Sequence, residues 1–314
     1  MAHRPVLANR VVELIVPAVE RGGVVVDATV GAGGHSRRIL EAAPAASLVG
    51  IDRDPAALGL ARAELDPHRE RVELVRADFA QLSSILERLG IATVRGVLLD
   101  LGVSSPQLDA GSRGFSFRRA GPLDMRMDPG AQLSAEEVVN SYDERDLARV
   151  LRRFGEERFA RRIATAIVRA RPVGSTLELA GIVTDAIPAP ARRTGGHPAR
   201  RTFQAIRIEV NDELGALNRV LPSAVDELEP PGRVVVISYH SLEDRAVKQF
   251  FASEARGCTC PPDLPVCRCG ADARLRVLTS RPDRPGPAEV TDNPRSRAAK
   301  LRAAERIGVE RRPA

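Results

Sequence analysis

The sequence predicts an α/β fold in which a doubly wound, Rossmann-like sheet is interrupted by a helical inserted domain. Over the first hundred residues, short runs of β-branched residues alternate with helical stretches, as in successive βαβ units. A glycine-rich turn directly follows the first of these runs. From Ser104 to about Ala205 no buried strand is indicated, and helical periodicity takes its place. We therefore expect a sheet domain formed by 1–105 and 206–314, and an inserted domain formed by 106–205.

Acidic residues lie in or beside the ends of three of the first four predicted strands: Asp52, Asp78 and Asp100. Parallel strands present their carboxyl ends at one edge of a sheet, which is where open α/β proteins bind ligands. We therefore expect the functional site at this edge. A helix near 202–221 resumes the alternation after the insertion. The predicted strands are 24–30, 47–52, 72–77, 94–100 and 233–239, with shorter candidates near 275–279 and 298–303.

The turn GAGGH at 31–35 is typical of a ligand site. Glycines after a buried strand let the backbone approach a ligand that a side chain would exclude. An acid at the tip of the next strand, here Asp52, can accept hydrogen bonds from both hydroxyls of a ribose. Together these features predict a nucleoside-bearing cofactor. The alternative is a structural turn that binds nothing, and the downstream acid disfavours it.

Two neighbouring residues bear on which cofactor this is. The dinucleotide fingerprint is incomplete, because Ser36 stands where its third glycine belongs. Asp27 adds negative charge, which would repel a pyrophosphate but suits a sulfonium or an amino group. These residues favour S-adenosylmethionine over NAD.

Positive charge is concentrated in two segments of a chain whose formal net charge is +6. Residues 145–207 contain 14 arginines and 5 acids, and residues 274–314 contain 11 basic residues and 5 acids. Clustering of this kind is typical of a surface that binds a polyanion such as nucleic acid. A bias towards arginine is the alternative, since lysine occurs only at 248 and 300, but such a bias does not explain the clustering.

The chain carries no signal for export or for a membrane. Its apolar runs are of strand length, far shorter than a membrane span, and the first residues lack the pattern of a signal peptide. We expect a cytoplasmic protein.

Four cysteines within twelve residues suggest zinc, but their C-x-C spacing is not the usual one, so we predict no metal site. They are Cys258, Cys260, Cys267 and Cys269.

Several longer segments resemble the bacterial family of small-subunit ribosomal RNA methyltransferases called H. The resemblance implies a class I methyltransferase fold, S-adenosylmethionine as cofactor, and methyl transfer to the N4 amine of a decoding-centre cytosine in 16S rRNA. The rRNA of the small ribosomal subunit is then the partner. Asn9 departs from the glutamate often found there, without consequence for the chemistry. The segments are 3–14, 27–36, 51–55, 98–109, 113–129, 155–164, 197–214 and 237–248.

The resemblance also implies roles for individual residues. Gly33, Gly34 and His35 would line the methionine part of the cofactor, and Asp52 would bind the ribose. Phe79 would pack beside the adenine. Asp100 and Gln107 would lie near the edge at which the methyl group is transferred.

Asp100 is also the predicted catalytic residue. The lone pair of the cytosine N4 is delocalised into the ring, so the amine needs a nearby hydrogen-bond acceptor. The related DNA amino-methyltransferases use an acidic or polar residue with two prolines and an aromatic residue. The matching segment 100–107 has one proline and no aromatic residue. Ser104 and Ser105 are the alternatives to Asp100.

Reaching N4 requires that the base leave its stack and be held by planar side chains. Phe115 and Phe117, or arginine planes, are the predicted platform. One alternative is a DNA or small-molecule methyltransferase, which the basic insertion and the missing proline–aromatic motif disfavour. The other is a non-catalytic RNA-binding assembly factor, which the intact cofactor residues disfavour. The oligomeric state stays open, a homodimer included.

Overall fold

The computed structural model describes residues 5–192, 196–257 and 272–308. It divides into two compact units. The sheet unit comprises Met1–Gly102 and Gly215–Ala314, and the inserted unit comprises Val103–Leu214. The domain boundary predicted between residues 205 and 206 falls inside the helix Arg200–Asn211, and this helix lies entirely within the inserted unit.

The strands of the sheet unit are β1 (Gly23–Asp27), β2 (Ala46–Asp52), β3 (Val72–Arg76), β4 (Val94–Asp100), β5 (Leu228–Ser238), β6 (Leu275–Val277) and β7 (Lys300–Arg306). Within the described residues they form one seven-stranded sheet with the order β3-β2-β1-β4-β5-β7-β6. The first five strands are parallel, and β7 runs antiparallel to both β5 and β6. The predicted doubly wound, Rossmann-like sheet is confirmed, with an antiparallel edge that the sequence pattern had not indicated.

Helices connect these strands and build the inserted unit. In chain order the α-helices of the described residues are α1 (Ala8–Val19), α2 (Gly34–Ala42), α3 (Pro55–Glu64), α4 (Leu82–Arg88), α5 (Ser105–Asp109), α6 (Ala135–Ser141), α7 (Glu144–Gly155), α8 (Ala160–Arg169), α9 (Thr176–Ala186), α10 (Ala189–Arg192), α11 (Arg200–Asn211), α12 (Glu213–Glu227), α13 (Ser241–Glu254) and α14 (Pro287–Asp292).

Both faces of the sheet are buried, because alternate residues of each strand enter different cores. Val25 and Leu98 pack with Ile15 of α1 on one face. Val26 packs on the other face, in a core that includes Leu221 of α12. This burial on both faces explains why β1, β2, β4 and the second half of β5 read as nearly continuous apolar runs.

The inserted unit is helical and has its own core, to which α6, α7, α8, α9 and α11 contribute. Within the inserted unit, buried Asn211 anchors the segment 111–130. The Met127 N–H donates to Asn211 Oδ1 at 2.7 Å, and Asn211 Nδ2 donates to the Met125 carbonyl at 2.7 Å.

The helix predicted near 202–221 is two helices. Asp212 adopts a left-handed conformation with φ 47°, which ends α11 and lets α12 begin at Glu213. A residue in the left-handed conformation breaks the helical hydrogen-bond ladder, whatever its side chain.

No α-helix in the described ranges combines the length and the apolarity needed to cross a bilayer.

Candidate active site

The glycine turn connects β1 to α2 at the carboxyl edge of the sheet. Gly31 and Gly33 both have positive φ, at 52° and 85°. A Cβ on Gly33 would lie 3.2 Å from the Leu65 side chain and 3.3 Å from Ala61 Cα, so this position has little room as well as an unfavourable φ. The turn therefore requires glycine for its own geometry, independently of any ligand.

Asp52, at the tip of β2, is bonded to this turn. Its Oδ2 accepts a hydrogen bond from the Gly31 N–H at 3.0 Å, and its Oδ1 accepts one from the Asp54 N–H at 2.9 Å. Burial raises the pKa of the Asp52 carboxyl, an effect that these two hydrogen bonds oppose. Each carboxylate oxygen has a second lone pair, so both can still accept from a ribose hydroxyl.

Asp27, the last residue of β1, is bonded to the first turn of α2. The Ser36 hydroxyl donates to Asp27 Oδ2 at 2.6 Å, and the Thr29 N–H donates to Oδ1 at 3.3 Å. Burial raises the pKa of the Asp27 carboxyl to about 6. In the sequence Ser36 is notable only as a missing glycine, whereas in the structure it is the hydrogen-bond donor to a buried acid.

Asp100, at the end of β4, lies between two other polar side chains. Tyr239 Oη donates to Asp100 Oδ1 at 2.9 Å, and His35 Nε2 lies 3.5 Å from Asp100 Oδ2. The Thr29 hydroxyl oxygen accepts the Asp100 N–H at 2.6 Å. Burial raises the pKa of Tyr239 far above its ordinary value, and the negative charge of Asp100 adds to this. Tyr239 is therefore a permanent hydrogen-bond donor at neutral pH.

Sequence reasoning missed the contact between Tyr239 and Asp100. Strand pairing explains this contact. Asp100 pairs with Ile237 in the parallel β4–β5 ladder, so Tyr239 follows the end of β5 at the carboxyl edge where Asp100 ends β4. Only the strand order makes β5 the neighbour of β4, and the sequence pattern does not supply that order.

The ring of His35 supports a ligand at this edge. The side chain is 7% exposed, and neither ring nitrogen makes a hydrogen bond within the described residues. The 3.5 Å approach of Nε2 to Asp100 is close enough for an ion pair, but it lacks the geometry of a hydrogen bond. Buried polar atoms without partners are costly, so a ligand with polar groups would stabilise this arrangement.

Phe79 begins a short 3-10 helix (Phe79–Gln81) beyond the end of β3. Its ring is half-buried, and the Arg53 guanidinium lies 5.9 Å from the ring centroid. Asp78 fixes the position of the ring, because its side chain accepts the Ala80 N–H at 2.8 Å and lies 3.7 Å from Arg53. An aromatic ring at this edge could pack beside a nucleobase.

The segment after β5 is fixed by a capping box. Glu243 Oε2 accepts the N–H groups of Tyr239 at 2.8 Å and His240 at 3.2 Å, while His240 Nδ1 accepts the Glu243 N–H at 3.3 Å. The N-cap of α13 is thus His240, and Ser241 is its first helical residue. This cap holds the backbone from which Tyr239 reaches Asp100.

Gln107 belongs to the inserted unit and takes part in another capping box. The Ser104 N–H donates to Gln107 Oε1 at 3.0 Å, and Ser104 Oγ accepts the Gln107 N–H at 3.4 Å. Both side chains therefore support the start of α5.

The carboxyl edge of the sheet unit brings together Gly33, Gly34, His35, Asp52 and Asp100, with Phe79 at the end of the neighbouring strand β3.

The two predicted platform residues differ. Phe115 is 6% exposed and packs in the core of the inserted unit, so its ring offers no stacking surface. Phe117 is half-buried and stacks on His197, with 4.6 Å between ring centroids and 24° between planes. Phe203 meets the Phe117 ring edge-on at 5.7 Å.

The four cysteines lie outside the described residues.

A Rossmann-like sheet with an antiparallel seventh strand, a glycine turn and an acid at the tip of β2 is the framework of a class I methyltransferase. The model of the MraW methylase family matches residues 1–307 of the chain. The chain belongs to the MraW methylase family.

Relatives of nearly the same length extend this finding. The chain is 55% identical over 311 residues to the ribosomal RNA small subunit methyltransferase H of Acidothermus cellulolyticus, covering 98% of this chain and 94% of the relative. It is 52% identical over 310 residues to the protein of the same name from Heliobacterium mobile, covering 97% and 99%. Among solved structures, an rRNA methylase from Streptococcus thermophilus covers 98% of the chain and 99% of its own length, at 12% identity and a TM-score of 0.43.

Proposed function

We propose that this protein transfers a methyl group from S-adenosylmethionine to the N4 amine of a decoding-centre cytosine in 16S rRNA. Its methylase family and its nucleoside-type site make S-adenosylmethionine the methyl donor. Relatives at 52–55% identity carry the name ribosomal RNA small subunit methyltransferase H, which supports rRNA of the small subunit as the substrate. The protein would then act in the cytoplasm, on rRNA or on the assembling subunit.

When bound, S-adenosylmethionine supplies a methyl group on a positively charged sulfur, open to in-line attack by a nucleophile. Asp52 would accept the ribose hydroxyls through lone pairs that Gly31 and Asp54 leave free. Gly33, Gly34 and His35 would line the methionine part, and Phe79 would pack on the adenine. The carboxylate of Asp27 would favour a positively charged ligand by Coulomb attraction.

The position of Asp100 is the observation that carries the proposed chemistry. The carboxylate stands at the carboxyl end of β4, and Tyr239 fixes Oδ1 by a hydrogen bond. Oδ2 has lone pairs to accept an N–H of the cytosine amine, which would increase electron density on N4 and align it for attack. The protein would thus act mainly by positioning, with Asp100 as the acceptor and Tyr239 as a positioning residue.

The inserted unit is proposed to hold the rRNA. Its concentration of arginines supports a polyanionic partner over a small-molecule substrate. Gln107 would lie near the transfer edge, as the resemblance to the family implies.

A single experiment tests reaction and substrate together. Small ribosomal subunits that lack the modification are incubated with the protein and S-adenosylmethionine labelled in the methyl group, and the rRNA is digested to nucleosides. We expect the label in N4-methylcytidine. Label in a uridine, on cytosine C5 or on a ribose oxygen would overturn the N4 assignment. Transfer to DNA with no transfer to subunits would overturn the rRNA assignment.

A further inference from the structure

Seven exposed arginines lie around one end of the inserted unit, and we call this surface the arginine end. It is formed by the last turn of α7, the turn leading into α8, the first turn of α8 and the start of α11. Its members are Arg152, Arg153, Arg158, Arg161, Arg162, Arg200 and Arg201.

Side-chain hydrogen bonds to backbone carbonyls join the start of α11 to the end of α7, and α8 begins a few residues further along the chain. Glu156 adopts a left-handed conformation with φ 48°, which ends α7 and turns the chain towards α8. Arg201 Nη1 donates to the Glu156 carbonyl at 3.3 Å, and Gln204 Nε2 donates to the Phe154 carbonyl at 3.0 Å. Gly155 permits this approach, because a Cβ there would lie 2.7 Å from the Arg201 carbonyl oxygen.

Seven arginines outnumber the two acids of this surface, exposed Glu156 and buried Glu157. No ion pair joins any of the seven arginines to a carboxylate among residues 5–192, 196–257 and 272–308. Glu157 is 4% exposed, and its carboxylate accepts the Phe159 N–H at 2.9 Å. The acids of α7, Glu144 and Asp146, lie in its first turn, most of a helix length from the arginine end.

Helix stability does not account for the four arginines at helix N-termini, although Arg152 and Arg153 suit the last turn of α7. Arg161 and Arg162 lie in the first turn of α8, and Arg200 and Arg201 lie in the first turn of α11. Neither turn contains an acid, and neither helix has a side-chain cap. Positive charge at a helix N-terminus opposes the helix dipole, so these four residues weaken the helices that carry them. A role in binding, rather than in folding, is the simpler explanation for these four residues.

Two of the arginines are held against aromatic rings. The Arg153 guanidinium lies 5.1 Å from the Phe154 ring centroid, and the Arg158 guanidinium lies 4.8 Å from that of Phe159. Both rings are half-buried, so they give the flexible side chains a fixed support. A supported planar guanidinium loses less entropy when it forms bidentate hydrogen bonds to a phosphate.

We propose that the arginine end binds the phosphodiester backbone of the rRNA substrate. This inference rests on the proposed function and adds to it the surface that contacts the RNA. Binding through phosphates carries no sequence information, so the arginine end would set affinity and register, leaving the choice of base to the active site.

The test compares two triple variants. In the first, Arg158, Arg161 and Arg162 are replaced by alanine. In the matched control, Arg21, Arg62 and Arg88 are replaced, which are exposed arginines of the sheet unit. Binding to small subunits is measured over a range of salt concentrations, with methyl transfer and S-adenosylmethionine affinity measured alongside.

We expect the first variant to bind subunits more weakly and with a smaller salt dependence. Each lost phosphate contact should reduce the log–log slope by about 0.7–0.9, so the slope should fall by about 2. KM for the subunit should rise, while kcat at saturating subunit and the affinity for S-adenosylmethionine stay unchanged. The control variant should behave as the wild type does. Replacing the same three residues by lysine should restore most of the slope, because lysine keeps the charge.

Three outcomes would overturn the inference: an unchanged slope, a loss equal to that of the control, or a parallel loss of cofactor affinity that indicates damage to the fold. Failure of the proposed function is distinguishable, because the wild type would then form no N4-methylcytidine. If the wild type forms it and the triple variant has unchanged binding, only the role of the arginine end is wrong.

Discussion

The Oη atom of Tyr239 lies 2.9 Å from Oδ1 of Asp100 and joins the ends of two adjacent parallel strands. The hydrogen bond is partly buried. It restricts the carboxylate to one orientation without neutralising it. The proposed acceptor for the cytosine amine is therefore held by the sheet itself.

Replacing Tyr239 by phenylalanine should lower kcat by roughly tenfold, since a hydrogen bond to a charged group contributes about 1.5–3 kcal/mol. KM for S-adenosylmethionine should change little, because the hydroxyl acts on Asp100. Steady-state kinetics at saturating cofactor measure the effect, and a thermal melt checks the fold. An unchanged kcat in a folded variant would show that the hydrogen bond is only structural.

Asp100→Asn should lower kcat even when S-adenosylmethionine is saturating, because an acceptor for the amine acts most strongly in the transition state. A defect that high cofactor concentration repairs would instead identify Asp100 as a cofactor contact alone. Attention would then pass to Ser104 and Ser105. Combining Asp100→Asn with Tyr239→Phe completes a double-mutant cycle, in which we expect clear non-additivity because the two side chains are in contact.

Asp52→Ala should weaken S-adenosylmethionine binding by roughly ten- to a hundredfold, or about 1.5–3 kcal/mol. The variant loses the ribose acceptor and also the bond that fixes the Gly31 N–H. Calorimetric titration gives the affinity. Asp66→Ala, which removes an exposed acid of the same unit, serves as the control and should leave it unchanged. Equal affinities for the two variants would refute the role of Asp52.

Asp27 should make the folded protein less stable as the pH rises. Burial raises its pKa from 3.8 to about 6, so between these values the folded state holds more protons than the unfolded state. The free energy of unfolding therefore falls with increasing pH across this window and levels off above it. Asp27→Asn removes the titration but keeps an acceptor for the Thr29 N–H.

Urea unfolding at pH 4.5 and pH 7.5 tests this prediction. The stability of Asp27→Asn relative to the wild type should increase by about 2 kcal/mol between the two pH values. A difference that stays constant would mean that the Asp27 carboxyl titrates near its ordinary pKa.

Local sequence patterns predicted the strands and the acids at their ends well, because burial on both faces leaves a continuous apolar signature. They predicted contacts between distant residues poorly. Tyr239 is adjacent to Asp100 only because β5 is inserted next to β4 in the strand order, and a residue's neighbours across a sheet leave no local trace. Phe115 is a predicted stacking platform, yet the inserted unit buries its ring in the core.

Local sequence patterns also fail to predict where some helices begin and end. Ser241 has the residue type preferred for a cap, but the cap is His240, because Glu243 reaches back to the N–H groups of Tyr239 and His240. The break between α11 and α12 depends on one left-handed residue, Asp212, which helical periodicity does not reveal. Both outcomes are decided by backbone geometry rather than by composition.

The two hydrogen bonds on Asp52 have a consequence for the thermodynamics of binding. Because the Gly31 and Asp54 amides already hold both oxygens, the side chain is preorganised and has little rotational freedom left to lose when a ligand arrives. A ribose would meet acceptors already in place. The favourable enthalpy of binding the ribose would then not be reduced by an entropy cost for ordering this carboxylate.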